Sequence, residues 1–212
     1  MQAPFHRVEN HLPRNPMDVR AHVRLELSRY LALFPREIDA VAPVVDQIDN
    51  DPADVLTRSN MRGHVTTSAF VFDESSMKAL LIHHRIYNRW LAPGGHYEDG
   101  HLWTSALREA VEETGVHGPQ LHDWSVLESC PVDIDSHPIA ARPAKGEQAH
   151  VHHDFAYLVS ADSRMPLSAQ LEEVLDARWV SLAVLEQLGD ARLSRIVGKL
   201  EDLGIARKYR LI

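Results

Sequence analysis

The chain has 212 residues, a formal net charge of −8, 44% hydrophobic and 25% charged residues, and a single cysteine, Cys130. That length buries a core without disulfide or metal staples, and one cysteine excludes an intramolecular disulfide and fits a reducing compartment. The acidic balance disfavours coating a nucleic acid polymer. No segment has the length and apolarity of a transmembrane helix, and the opening residues lack a signal peptide's apolar run; the chain therefore reads as cytoplasmic, without a membrane partner.

In chain order, residues 16–34 show helical periodicity, with Val19, Val23, Leu27 and Tyr30 or Leu31 on one stripe. Pro35 stops this helix. A second helix is expected over residues 37–48, with Ile38, Val41, Val45 and Ile48 facing inward and a kink or break at Pro43. Residues 1–60 thus read as a helical extension on a domain spanning 61–212. The apolar stripes of the extension require burial, either on that domain or in a homodimer interface.

From Gly63 the character changes. Residues 64–73 and 77–84 are β-rich and joined as a hairpin. A loop is expected over 85–100, then a helix from Leu102 to Thr114, ended by Gly115 in the position where a glycine closes a helix. Residues 124–135 look extended, 136–148 read as a loop, and 150–161 as a strong strand. A short helix or turn precedes a strand at 177–180, and closing helices are expected at 182–188 and 191–203. Helices, strands, helix, strands and helices in that order define an α+β fold with a mixed sheet.

The helix at 102–114 carries the chemistry. At 100° per residue, Glu109, Glu112 and Glu113 share an arc roughly 100° wide, while Trp103, Ala106, Leu107 and Ala110 centre elsewhere. Three carboxylates on one arc repel one another. Arg108 pairs with Glu112 at i, i+4 but cannot neutralise all three. A hard divalent cation such as Mg2+ or Mn2+ supplies the missing charge, since these ions take carboxylate and phosphate oxygens. Gly94-Gly95, just upstream, let the backbone approach an ion or a diphosphate closely.

These residues resemble the Nudix box, a glycine, a glutamate and then a run of the form RExxEExG. Arg108-Glu109, Ala110, Glu112-Glu113, Gly115 and Val116 match its second half, and the flanking LLIHH, APGGH and LDARWVSL are similar to family members. The resemblance covers about residues 63–188. It implies a mixed β-sheet between helices and a metal-dependent hydrolase that cuts a diphosphate linkage in a small nucleotide-like substrate. It further implies metal ligation by Glu109, Glu112, Glu113 and the Gly95 carbonyl, with Glu109, Glu113 and Arg108 as catalytic candidates. Some members take their base from a glutamate elsewhere, and Glu147, Glu172 and Glu173 are the candidates. The chain departs from the motif at its first glutamate: Gly100 or His101 stands there, depending on the direction of counting, with Glu98 or Asp99 nearby. That departure gives a rival expectation, a non-catalytic Nudix fold that binds or senses a nucleotide.

Gly94 and His96 in APGGH, with Arg142, Lys145, His150 and His152, are candidate substrate contacts. In a strand, His150, His152 and Asp154 share one face and Val151, His153 and Phe155 the other. The first set lines a cleft, holds a transition metal, or lies on an exposed edge strand. Arg142 and Lys145 occupy a loop placed either to close on phosphates or to stand in solvent. Tyr87 and Trp90 are expected to pack against the box or to stack on a base, and Cys130 to be a small buried residue.

Overall fold

The structure is a computed structural model and describes residues 16–143, 146–170 and 172–206, with side chains from Arg20 onward. Helix α1 spans Pro16–Leu33 and α2 spans Ile38–Asn50, separated by a 3-10 turn over Pro35–Glu37. Val23, Leu27 and Tyr30 form the buried stripe of α1; Val19 lies outside the described side chains. On α2 the stripe is Val41, Val44 and Ile48, with Val45 half-buried at its margin and Ile38 61% exposed. The expected inward Ile38 is thus corrected: Val44 fills the central position, and Ile38 falls to the solvent side of a stripe centred on 41, 44 and 48. The helix runs unbroken through Pro43.

Strands follow at Gly63–Asp73 (β1), Lys78–His84 (β2), Arg89–Leu91 (β3) and Gly94–His96 (β4). The β1–β2 hairpin is in place, closed at Phe72↔Ala79 and Asp73↔Lys78. The segment read as a loop at 85–100 holds β3 and β4, each three residues long and too short for a periodic signal. Helix α3 spans Leu102–Thr114 and closes at Gly115, whose φ of +64° is left-handed. After β5 (Gln120–Leu121), the stretch expected to be extended begins with α4 (Asp123–Glu128). His122 caps it, accepting from the Trp124 N–H, and Ser129 ends it with φ +51°. Strand β6 (Asp133–Ile139) takes in part of the expected loop, including Pro138. Among the described residues it pairs with β7 alone, and proline is tolerated on such an edge. Strands β7 (His150–Ser160) and β8 (Val174–Ser181), then α5 (Leu182–Gln187) and α6 (Ala191–Asp202), complete the order.

One mixed sheet organises the chain. Its path is β3-β2-β1-β7-β5, with β4 on β1, β6 on β7 and β8 on β2. β1 and β7 run parallel from Gly63↔Val151 to Phe72↔Ser160, and the other pairs are antiparallel. Both central strands are covered on both faces, which explains their near-continuous burial. On one face Val65, Ala69, Val71, Phe155, Tyr157 and Val159 pack with the stripes of α1 and α2 and with Leu102, Ala106 and Ala110 of α3. On the other, Phe70, Phe72, Leu81, Ala156 and Leu158 lie with Leu182 and Leu185 of α5 and Leu193, Ile196, Val197 and Leu200 of α6. Each of the larger apolar side chains among these contributes on the order of 1.5–3 kcal/mol on leaving water. The N-terminal helices therefore pack on the sheet, in the same core cluster as α3.

A charged network joins the C-terminal helix to this frame. Asp133 of β6, fully buried, accepts from Arg192 (3.0 Å), Arg195 (2.8 Å) and Lys199 (2.8 Å). Lys199 also donates to the Tyr30 hydroxyl at 2.6 Å and to Glu37 at 2.9 Å, tying α6 to α1 and the turn after it. Among the described residues, no helix is long and apolar enough to cross a membrane.

Candidate active site

Helix α3 lies on β1 and β4, on the face shared with α1 and α2. The β4 glycines pair with β1, Gly95↔Thr67 and Gly94↔Ser68. Neither position has room for a side chain. A Cβ on Gly94 would fall 2.7 Å from Ser68 Cα, so that glycine lets two backbones meet. A Cβ on Gly95 would fall 2.5 Å from the Glu109 carboxyl carbon, so this glycine leaves space for a functional group.

The three glutamates of α3 are not equivalent. Glu112 is half-exposed (49% of its side chain), and its carboxylate meets Arg108 Nη1 at 2.7 Å. Glu109 is largely covered (14%), and Arg108 Nη2 lies 2.8 Å from its Oε1. Burial raises the Glu109 carboxyl pKa despite Arg108, and Glu112 and Glu173 add to the rise. Glu113 is buried (3%) and takes one hydrogen bond, from the Gly94 N–H at 2.8 Å. No ion pair to Glu113 occurs among the described residues. Burial above all pushes its carboxyl up to about 8, against the Gly94 bond, with Glu109, Glu173 and Glu112 adding repulsion. The helix therefore holds three carboxylates beside a glycine backbone with one arginine between them.

Arg108 has a third anionic neighbour. Glu98 lies 3.4 Å from its Nε, and the His96 carbonyl accepts from Nη2 at 3.3 Å. Glu98 thus reaches the box arginine although neither Gly100 nor His101 can.

Alternation along β4 splits the surroundings in two. Gly95 faces α3, whereas His96 pairs with Thr66 and so faces the other side of the sheet. Its row contains His64 of β1, and His150, His152 and Asp154 of β7. A cavity of about 450 Å3 opens there, lined by Arg58, Met61, His64, His96, Arg142 and His150 among others. Arg142 and Arg58 both reach Glu147, at 2.6 and 3.3 Å. His152 lies beneath, 8% exposed, its ring 5.3 Å from that of His96. The His96 ring is pushed down to about 4, by burial first and then by Arg58 and His64. The structure thus brings Gly94, Gly95, Arg108, Glu109, Glu112 and Glu113 into one group, and His96, Arg142, His150 and His152 into a second at the adjoining cavity. Lys145 lies outside the described residues.

Of the outlying glutamates, Glu173 is exposed and its charge acts on both Glu109 and Glu113. Glu147 is held by the cavity arginines, and Glu172 is exposed. β7 is an inner strand between β1 and β6, so an exposed edge is excluded for His150 and His152. Trp90 packs away from the box, stacked on His83 (5.1 Å) with Arg178 5.0 Å over its ring, and Tyr87 is 40% exposed beside His84. Cys130 is buried, its thiol pushed up to about 12 by burial. The sequence reading missed Arg58 and His64. Arg58 belongs to the irregular connection between α2 and β1, and His64 opens a strand whose partner is remote in sequence.

A family model for the NUDIX domain matches residues 62–198. The chain belongs to that family. Among solved structures, the Caenorhabditis elegans Ap4A hydrolase binary complex superposes with a TM-score of 0.48 at 14% identity, over 66% of this chain and 96% of that one. A NUDIX-family hydrolase from Clostridium perfringens gives 0.45 at 24% identity, over 69% and 98%. The NUDIX domain of Shewanella oneidensis NrtR, complexed with ADP ribose, gives 0.43 at 22% identity, over 75% and 97%. No curated protein matches.

Proposed function

We propose that this chain is a metal-dependent hydrolase cutting a diphosphate linkage in a nucleoside diphosphate joined to another group. The observation that carries this reading is Glu113: a buried carboxylate with one backbone donor and no cation among the described residues, facing a glycine cradle that any Cβ would fill. The donor set is all oxygen, from Glu109, Glu112, Glu113 and the Gly95 carbonyl, and it fits Mg2+ or Mn2+. A hard divalent ion bound there neutralises phosphoryl charge and lowers the pKa of a coordinated water.

The chain's own residues account for the rest. Arg108 fixes Glu109 and Glu112, and Glu98 completes its surroundings. Glu98 reaching Arg108 weakens the case for a non-catalytic fold, which rests on the missing first glutamate of the box. Glu173, exposed and with its charge acting on both inner glutamates, is the candidate general base to take a proton from attacking water. The diphosphate passes across β4 to the cavity, where Arg58 and Arg142 meet phosphate and His96 and His150 form the wall.

The test is product release from untagged full-length chain offered a panel of nucleotide sugars, ADP-ribose, dinucleoside polyphosphates and oxidised nucleoside triphosphates, with Mg2+ or Mn2+. Turnover of at least one compound, abolished by chelator and by Glu113→Gln, supports the reading. Nucleotide binding without turnover of any compound would establish the sensor instead.

A further inference from the structure

We propose that His64, His150 and His152 form a binding site for a borderline divalent cation of the zinc class, distinct from the carboxylate site on the other face of the sheet. The proposal does not rest on the hydrolase reading. It comes from the register of two strands, β1 and β7, and from the hydrogen bonds of the rings.

In the parallel pairing, His64 of β1 stands opposite His152 of β7, and His150 is one alternation further along on the same face. One ring nitrogen from each histidine lies within 4.8 Å of the other two. The three residues are 1%, 7% and 8% exposed. His150 Nε2 and His152 Nε2 stand 3.1 Å apart. Two nitrogens bound to one tetrahedral zinc at about 2.0–2.1 Å lie roughly 3.3 Å apart. The pair is therefore already at the spacing of two ligands, and His64 has only a short distance to close.

The outer hydrogen bonds settle which ring nitrogens carry lone pairs. His64 Nδ1 lies 3.2 Å from the Asn60 carbonyl, and His150 Nδ1 lies 2.8 Å from the Gln148 carbonyl. A carbonyl only accepts, so each Nδ1 carries the proton and each Nε2 a free lone pair. A carbonyl behind the ring is also the usual way a metal-bound histidine is oriented. His64 Nε2 is buried and has no hydrogen-bond partner among the described residues. An orphaned acceptor of this kind costs about 1–3 kcal/mol, a cost that a cation removes. With no ion bound, His152 supplies the proton between the Nε2 pair. On binding, that proton moves to His152 Nδ1, so His152 ligates as neutral imidazole and no net proton is released.

The environment of His64 and His152 disfavours the protonated ring, and the ligand chemistry selects the ion. Burial above all lowers the pKa of both; at His64 the Asn60 carbonyl opposes it and the His150 ring adds to it, and at His152 the neighbouring rings add to it. Three imidazoles and no carboxylate suit zinc, nickel or cobalt rather than magnesium or calcium. His64 and His150 also line the cavity, so the fourth position faces it and is open to water or to an anionic ligand between Arg58 and Arg142.

Cobalt(II) and zinc(II) are the probes, added singly to untagged, chelator-stripped full-length chain. One equivalent of cobalt with the visible ligand-field bands of a nitrogen-rich four- or five-coordinate site, displaced by zinc, is expected. His150→Gln and His152→Gln, each checked for fold by circular dichroism, should weaken cobalt by about a hundredfold or more, while Glu113→Gln leaves the bands unchanged. His150→Gln, at the cavity wall, serves if the deeper variant does not fold. A wild-type chain that gives no such bands overturns the proposal, as do bands that survive both histidine variants or vanish in Glu113→Gln. Loss of nucleotide hydrolysis with the cobalt bands intact would count against the hydrolase reading alone.

Discussion

Asp133 and Glu113 are both almost fully buried, at 0% and 3% exposure, but their surroundings push them in opposite directions. Burial drives Asp133 up as well, yet Arg195, Arg192 and Lys199 outweigh it and hold its carboxyl below the usual range. Among the described residues Glu113 has a single N–H donor, and its carboxyl is pushed up to about 8. The first cluster is electrically complete and joins β6, α6 and the N-terminal helices. The second is built as carefully, with a helix face, a glycine pair and Arg108 in place, but is short of positive charge. A buried charge with its partners in the chain serves the fold, whereas the charge missing beside Glu113 is the one the proposed function supplies with an ion.

The comparison breaks most severely at Asp133. Asp133→Asn leaves two arginines and a lysine without their shared anion and should cost about 3–5 kcal/mol in chemical denaturation. A loss below about 1 kcal/mol would show that the network is not structural. Glu113→Gln should do the reverse. Its metal-free stability stays level near neutral pH, where the raised pKa already leaves the acid largely uncharged, and rises slightly above about pH 8, where burial and Glu109 oppose the charge, while turnover with saturating Mn2+ falls about a hundredfold or more. Manganese should raise the thermal midpoint of wild type and not of this variant; equal shifts would place the ion elsewhere.

Glu26 sharpens the contrast, being a buried acid (4%) pushed up to about 7 by burial, with Arg29 opposing. Its folded pKa lies above the unfolded value, so the native state binds the extra proton. Stability from this group is complete below about pH 4.5 and is lost as pH rises through about 7, by at most about 1.4 kcal/mol per pH unit. Glu26→Gln should flatten that decline in metal-free protein across this window; an unchanged slope rejects the assignment. The smallest effect is expected at Glu112, half-exposed and paired with Arg108. Glu112→Gln should change stability by less than about 1 kcal/mol and lower turnover less than Glu113→Gln does. A larger kinetic loss at Glu112 would reverse the ranking within the helix.

What the sequence disclosed follows from range. Helix α3 was legible from Leu102 to Thr114 because its periodicity, its glutamates and Gly115 are all local, and β1, β2 and β7 were legible as long β-rich runs. Strands β3 and β4 were missed because three residues carry no period, and α4 because its caps, His122 and Ser129, are atypical. The glutamates could be named, but not ranked: that Glu113 is buried and Glu112 is half-exposed depends on how α3 lies against β4. The Asp133 network and the approach of His64 to His152 join residues far apart in the chain, and no local pattern announces them.

The parallel pairing of β1 with β7 has a consequence for how the molecule assembles. Along its other edge β1 meets β2 and β4, which follow it closely, but Thr66 and its partner Asp154 are 88 residues apart. Loop closure over that distance is slow compared with forming a hairpin. During synthesis the β1–β2 hairpin, β4 and α3 can gather as soon as they emerge, while the middle of the sheet stays open until residue 160 has been made. We therefore expect amides of the β1–β2 hairpin to gain protection before those of β7 in pulse-labelled hydrogen exchange. Simultaneous protection of both would mean that the sheet closes in one step. Until β7 arrives, this edge of β1 stays open to pairing with another molecule.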